Sequence, residues 1–426
     1  GIEEVKFSGR RRDPRTILHV LCDGMKIDIG EDRPIVLRHE GDLDNFGSSR
    51  GYCGADLSRL DLSQKGALLK AMPFDSHTVW PESNRLPPGF DPEAVMKWGK
   101  YPGLGIKQLH GQGIAGKGVH VAIIDQPLLL GHTEYASQLA GYTVQTADVG
   151  PSSHGPAVAG LLVGKTCGVA PGALLHYWTV FSWDIDKYQL MTVEQKWTLE
   201  HKYRCMAVEQ IIEFNRGKEK SEQIRILSVS KGLAPSKLNL NAWKTALEKA
   251  QQAGIYVFHC GGEDPDKIGF GVDDRFLGAG CRFLKDPDNP ANYQPCAFLR
   301  SNEDFRRHVS QWGSVSHEPG DIFVPIDNRT RANQKAKDAY TFGPGSAASW
   351  AAPYVAGVVA MGMQVNPDLR ADQVNELLYD SGWDFQTGRL INPIAFVEAA
   401  RRTKVKDLKQ GRERQKSAWR FFCFSG

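Results

Sequence analysis

No apolar run in this 426-residue chain approaches the ~20 residues that a membrane-spanning helix needs, so a membrane span is not expected. A surplus of charge of one sign is missing too. The formal net charge is +3, which predicts no global attraction to nucleic acid or to a membrane surface. The eight cysteines show no C-x-x-C spacing, which fits free thiols in a cytoplasmic protein. The opening stretch, GIEEVKFSGRRRDPR, lacks the apolar core of a signal peptide. The first residue is Gly1, not Met, so a leader already removed stays compatible with the sequence. A D-x-D-x-D-G loop with a terminal Glu is also absent. Calcium at the Asp- and Asn-rich stretches DPDKIGFGVDDRF and LKDPDNPANYQP therefore has no specific motif behind it. Surface turns are expected there, and no cofactor.

What is present is ordinary in bulk and unusual in one place. Hydrophobic residues at 41% and charged residues at 24% describe a globular chain long enough for one large domain with additions. The unusual stretch is FGPGSAASWAAPYVAGVVAM, Phe342 to Met361. Its second serine, Ser349, stands on a loop of small residues that runs into an apolar helical pattern. Small neighbours let a substrate approach closely, and the positive end of a helix favours a developing negative charge. Pro353 suits the first turn of that helix. Close packing of helix on sheet would also explain the small residues.

Two other stretches bear on the choice. VHVAIIDQP, Val119 to Pro127, is a continuous apolar strand ending in Asp125. SSHGPAVAGLLVG, Ser152 to Gly164, sets His154 beside a glycine at the start of another apolar helix. Taken singly, Asp125 is also a good turn carboxylate and His154 a good capping histidine. Together they give the chain order Asp, His, Ser, which is the order of subtilisin.

The three stretches resemble the Asp, His and Ser boxes of the subtilisin-like serine peptidases, the subtilases. The family's G-T-S-M-A-A-P-H-V-A-G reads here A-A-S-W-A-A-P-Y-V-A-G, and its H-G-T-H-V-A-G reads H-G-P-A-V-A-G. GVAPGALLHYWTV, Gly168 to Val180, resembles the strand that follows the His helix. The resemblance spans about Lys100 to Arg402. It implies a doubly wound α/β fold, a mostly parallel sheet with helices on both faces. It implies a serine endopeptidase acting on protein or peptide substrates, with Ser349 as nucleophile, His154 as base and Asp125 as its orienting carboxylate. It further implies that Ser230, Lys231 and Gly232 pair with the substrate backbone and that Gly261 and Gly262 line the pocket for the residue before the cleaved bond.

One departure bears on activity. The family's A-A-G-N-E reads His259-Cys260-Gly261-Gly262-Glu263, so Gly262 stands where an oxyanion-binding Asn is expected. In subtilisin, removing that donor lowers turnover by ~10²–10³. Asn302 and Asn328 are residues of the right type to replace it. The alternative is a pseudopeptidase that binds a protein partner through the same cleft.

Around this core, residues 1–99 form an accessory region with short strands at Ile17–Asp23 and Arg33–His39 and a proline-rich linker at Trp80–Pro92. Residues 100–402 are the peptidase-like domain, and 403–426 a basic tail ending in aromatics. Helices are expected over Val193–Asn215, Ala242–Ala253 and Asn366–Gly382, with strands at Ile224–Gly232 and Ile255–Asp264. The glycines of Gly103–Val119 precede a strand, where a dinucleotide fingerprint follows one, so nucleotide binding is a weak reading. His132, His176, His259 and Cys167 read as structural residues, and Cys260 lacks a His/Asn box around it. Nothing in the sequence sets the oligomeric state.

Overall fold

The computed structural model describes residues 18–22, 25–29, 35–36, 51–145, 150–180, 191–230, 240–261, 275–301, 321–386 and 388–403. Lys231, Gly232, Gly262, Asn302 and the basic tail from residue 404 lie outside them. Contacts divide the chain into two units, Gly1–Asp91 and Pro92–Gly426.

The centre of the second unit is the strand His120–Asp125 (β1), whose residues Val121 to Asp125 are all buried. Val121 and Ile123 face one apolar cluster, and Ala122 and Ile124 face another. A strand covered on both faces must be apolar at every position, which is why VAII reads as a continuous run. Leu139–Val144 (β2), Leu174–Thr179 (β3), Ile224–Val229 (β4) and Tyr256–His259 (β5) join it in the order β5-β4-β1-β3-β2. Every pairing in this sheet is parallel. From β1 the chain winds first to the β3 side and then back to the β4 side. The strand order therefore reverses at β1, and the carboxyl edge there is where open α/β sheets hold ligands.

Helices cover both faces. His154–Val163 (α1) and Ala351–Val365 (α4) contribute to the cluster that holds Val121 and Ile123. Val193–Asn215 (α2) and Leu240–Gln252 (α3) contribute to the other, through Val208, Ile211, Trp243 and Leu247. Thr192 and Gln195 close the start of α2 with a reciprocal capping box. Residues Gly155–Val163 of α1 and Ala351–Met363 of α4 are buried all round. Such helices belong inside a core, not on its surface. The arrangement is the doubly wound α/β fold that the sequence leads one to expect.

A second sheet takes in the end of the stretch Leu284–Pro295, where surface turns are expected, together with segments on either side of it. Phe276–Cys281 (β6), Tyr293–Pro295 (β7), Ile322–Pro325 (β8), Trp383–Phe385 (β11) and Gly388–Leu390 (β12) run in the order β7-β6-β8-β12-β11. Arg329–Ala332 (β9) and Tyr340–Gly343 (β10) form an antiparallel pair before the Ser349 loop. All six residues of β6 are buried. Its glycines hide it in the sequence, because glycine weakens a strand reading. Here they are required by close approach. A Cβ on Gly278 would lie 2.4 Å from Ile326 Cδ1, and one on Gly280 2.4 Å from Asp327 Oδ2.

The helix expected over Asn366–Gly382 starts later, at Val374, after a 3₁₀ turn over Ala371–Gln373. Asn366 holds the earlier residues in a turn. Its side chain accepts from Asp368 N at 3.1 Å and donates to Ala400 O at 3.0 Å. This is the usual competition of an Asn side chain with helix formation.

In the first unit, Leu18–Cys22 pairs antiparallel with Met25–Ile29, and Ile35–Val36 pairs parallel with Ala55–Asp56. Its described core gathers Tyr52, Leu57, Leu62, Leu69 and Phe74. The proline-rich stretch packs by its aromatics: Trp80 stacks edge-on to Phe74 at 5.2 Å and against Phe90 at 5.6 Å.

Candidate active site

Asp125 is the last residue of β1 and is 7% exposed. Its Oδ1 accepts from the following N–H, of Gln126, at 2.7 Å. The same oxygen meets Nδ1 of His154, also at 2.7 Å. The carboxylate is thus tied to its own strand end and aimed at the imidazole. His154 opens α1, and the Ser152 hydroxyl accepts from the N–H groups of His154 at 3.2 Å and Gly155 at 3.0 Å. Those are two of the donors that a helix start leaves without partners. The side chain of His154 is 24% exposed, so one side of the ring is open to the solvent.

The turn that follows Asp125 is held from the sheet side. Tyr177 OH donates to Gln126 O, and Tyr142 OH accepts from Leu128 N at 3.3 Å. The two tyrosine rings stack at 5.8 Å. Ser152 N donates to Pro127 O at 3.0 Å.

Ser349 lies in a 3₁₀ turn, Ala348–Trp350, that feeds directly into α4. Its hydroxyl donates to the main-chain O of Ser230 at 3.1 Å. Ser230 follows β4, the neighbour of β1, so this bond brings Ser349 to the same carboxyl edge as Asp125. The Ser230 carbonyl is thereby occupied by the hydroxyl. Trp350 completes the link from the serine to the histidine: its indole centroid is 5.5 Å from that of the His154 ring. Asp125, His154 and Ser349 are therefore gathered at one end of one sheet, with Ser349 turned to Ser230.

Cys260 and Gly261 follow β5 at the same edge, and Cys260 N donates to Val229 O at 3.1 Å. Burial pushes the Cys260 thiol up to about 12, and its contact with the Ser349 side chain offsets this only in part. It stays a neutral thiol at neutral pH. His259 is almost fully buried, and desolvation followed by the nearby Arg204 charge lowers its pKa to about 4. It stays a neutral imidazole. His132 is enclosed, with Nε2 on Ala339 O at 3.0 Å and Nδ1 on Glu134 N at 3.2 Å. The amide of Asn328 is engaged elsewhere, donating to Cys281 O at 2.9 Å. Among the described residues no group of three or more His, Cys, Asp or Glu side chains is arranged to hold a metal ion. Nor, among them, is any helix long and apolar enough to cross a membrane.

The model of the Subtilase family matches residues 116–392, well over half of the chain and inclusive of all three side chains. The chain belongs to the subtilase family. Among curated proteins this subtilase is 24% identical to the subtilisin-like protease PopC of Myxococcus xanthus (strain DK1622) over 306 residues. That match covers 64% of this chain and 57% of PopC, so the chain spans little more than half of the relative's length. Among solved structures, a chain of the subtilase cytotoxin SubAB assembly superposes with a TM-score of 0.52 at 17% identity, covering 73% of this subtilase and 99% of that chain. The likeness supports the subtilase fold.

Two contributors to the subtilase site are not singled out by their sequence. Trp350 stands where the family pattern has Met, and the substitution is the one available signal. Arg331, on β9, places its guanidinium carbon 4.1 Å from the Trp350 ring centroid. Only the folded chain brings that pair together.

Proposed function

We propose that this chain is a serine endopeptidase that hydrolyses peptide bonds in protein or peptide substrates through Ser349, His154 and Asp125. The observation that carries the reading is the 2.7 Å bond between Asp125 Oδ1 and His154 Nδ1 at the carboxyl edge where Ser349 also lies. Family membership and the protease name of the curated relative support it.

A serine hydroxyl is a poor nucleophile at neutral pH until a base takes its proton. With Nδ1 directed to Asp125, the other nitrogen, Nε2, is left as the basic one. The Ser349 hydroxyl turns from Ser230 O to Nε2 and gives up its proton there as Oγ attacks the substrate carbonyl carbon. The carbonyl π pair moves to oxygen, and the tetrahedral oxyanion meets the start of α4, where the Ser349 backbone N–H lies. As the oxyanion pair returns, the C–N bond breaks and Nε2–H protonates the leaving amine. An ester on Ser349 remains. Water then loses a proton to Nε2, attacks the ester carbon and releases the acid, and Ser349 recovers its proton. Asp125 keeps its charge throughout and stabilises the imidazolium. Turning the Ser349 hydroxyl away frees the Ser230 carbonyl to accept a backbone N–H from an extended substrate, with Lys231 and Gly232 continuing that edge. Gly261 and Gly262 line the pocket for the residue before the cleaved bond.

A second reading, a pseudopeptidase that binds a protein partner in the same cleft, is favoured by Gly262 at the position of the oxyanion Asn. A fluorophosphonate probe separates the two. Labelling of the wild type that disappears in Ser349→Ala is the expected result. A wild type that takes no label, yet is folded, would leave the binding reading in its place.

A further inference from the structure

We propose that Trp350 is a positioning residue for the His154 base, and that Arg331 holds the indole in place. The proposal rests on the reading of His154 as the general base. Asp125 fixes the imidazole at one atom only, Nδ1. Rotation of the ring about that bond would carry Nε2 away from the serine. The indole of Trp350 lies against the ring, with centroids 5.5 Å apart and planes inclined by 32°. That separation is within the range of attractive aromatic contact, and it blocks the swing toward the indole.

The indole is itself well anchored. Trp350 is 8% exposed, and its backbone N–H donates to Ala347 O at 3.0 Å. The Arg331 guanidinium carbon stands 4.1 Å from its ring centroid, close enough for a cation–π contact. Arg331 reaches that place along the β9–β10 pair because residue 343 is glycine. A Cβ at Gly343 would lie 2.6 Å from Arg331 Nη2. One loop, Gly343 to Trp350, therefore carries the nucleophile, the space for the guanidinium and the aromatic wall of the base. The flexible Met of the family pattern fills space without offering such a plane.

The test compares Trp350→Leu, Trp350→Phe and Arg331→Gln in the full chain. Steady-state kinetics on a peptide substrate are corrected for the active fraction by fluorophosphonate titration. Trp350→Leu is expected to lower kcat by roughly 10–100-fold with KM within about twofold, because the loss falls on the transition state alone. Trp350→Phe retains a flat ring and should recover most of the loss. A Trp350→Leu enzyme with wild-type kcat, or a Phe variant as impaired as the Leu variant, would overturn the proposal. If Trp350→Leu does not fold, Arg331→Gln decides: a lowered kcat at constant KM supports the proposal, and an unchanged kcat overturns it. A wild type that takes no label removes the base reading itself, and the proposal with it. An active wild type with an indifferent Trp350 removes the proposal alone.

Discussion

Asp125 Oδ1 lies 2.7 Å from His154 Nδ1, while the second oxygen of the same carboxylate, Oδ2, is buried with no hydrogen-bond partner among the described residues. The carboxylate therefore acts on the imidazole through a single oxygen. Asp125→Asn keeps the shape but turns an obligate acceptor into a group that can also donate. The imidazole then adopts the tautomer with its proton on Nε2, where it cannot take one from Ser349. Turnover should fall by about 10⁴-fold with substrate affinity little altered. Measured kcat and KM on one peptide substrate check this, and a loss below tenfold would mean that Asp125 does not set the tautomer.

Gly155, next to the base, has a geometric reason to be glycine. A Cβ there would lie 2.2 Å from Gln126 O, 2.7 Å from Pro127 O and 2.9 Å from Tyr177 OH. Backbone on the Asp125 side must move to admit it. Gly155→Ala is expected to lose about 1–3 kcal/mol of stability, together with activity as Asp125 and His154 separate. Gly111→Ala is the contrasting variant. Nothing lies within 4 Å of its added methyl, at the end of the helix Ile106–Gly111. It should be neutral or gain up to ~1 kcal/mol. Urea denaturation of the two variants beside the wild type checks both signs.

The parts of this arrangement legible in the sequence are those written by local rules. VAII before Asp125 must be apolar throughout because both faces of β1 are covered. The small residues around Ser349 follow from a turn that enters a helix buried on all sides. The extent of α2, Val193 to Asn215, is legible from apolar spacing. What escaped depends on neighbours distant along the chain. The glycines of β6 have their reason in Ile326 and Asp327, which lie against them in the fold. Asn366 looked like a helix start, but its partner is Ala400. No spacing rule joins Arg331, Trp350 and His154, since the three come from a strand, a turn and a helix that only tertiary packing assembles.

His176 and His259 set an acid limit on stability. Burial lowers both to about 4, helped by His120 and Lys218 at the first and by Arg204 at the second. In the unfolded chain each titrates near ~6.5. Between these values the unfolded state binds more protons, so stability rises with pH through this window. The contribution is complete above about pH 6.5 and is lost as pH falls toward 4. Urea midpoints at pH 7.5 and pH 4.5 should therefore differ, with the lower value in acid. His176→Phe should flatten part of the difference, since its ring already packs against Phe214 at 4.8 Å. A midpoint unchanged between the two pH values would show that neither histidine is held neutral by folding.

Cys260 tests which atom at the sheet edge is the nucleophile. Its thiol contacts the Ser349 side chain, and burial raises it to about 12. The nucleophilic form of cysteine is the thiolate, and at pH 8 a thiol of that pKa is ionised in only about one molecule in 10⁴. Iodoacetamide at pH 8 should accordingly leave the rate of fluorophosphonate labelling unaltered. In Cys260→Ala the label should still reside on Ser349, as peptide mapping by mass spectrometry would locate it. If Cys260→Ala abolished labelling while Ser349→Ala kept it, the sulfur would be the reacting atom and Ser349 its neighbour. The present geometry predicts the reverse, because Ser349 alone of the two opens a helix whose positive end faces the developing charge.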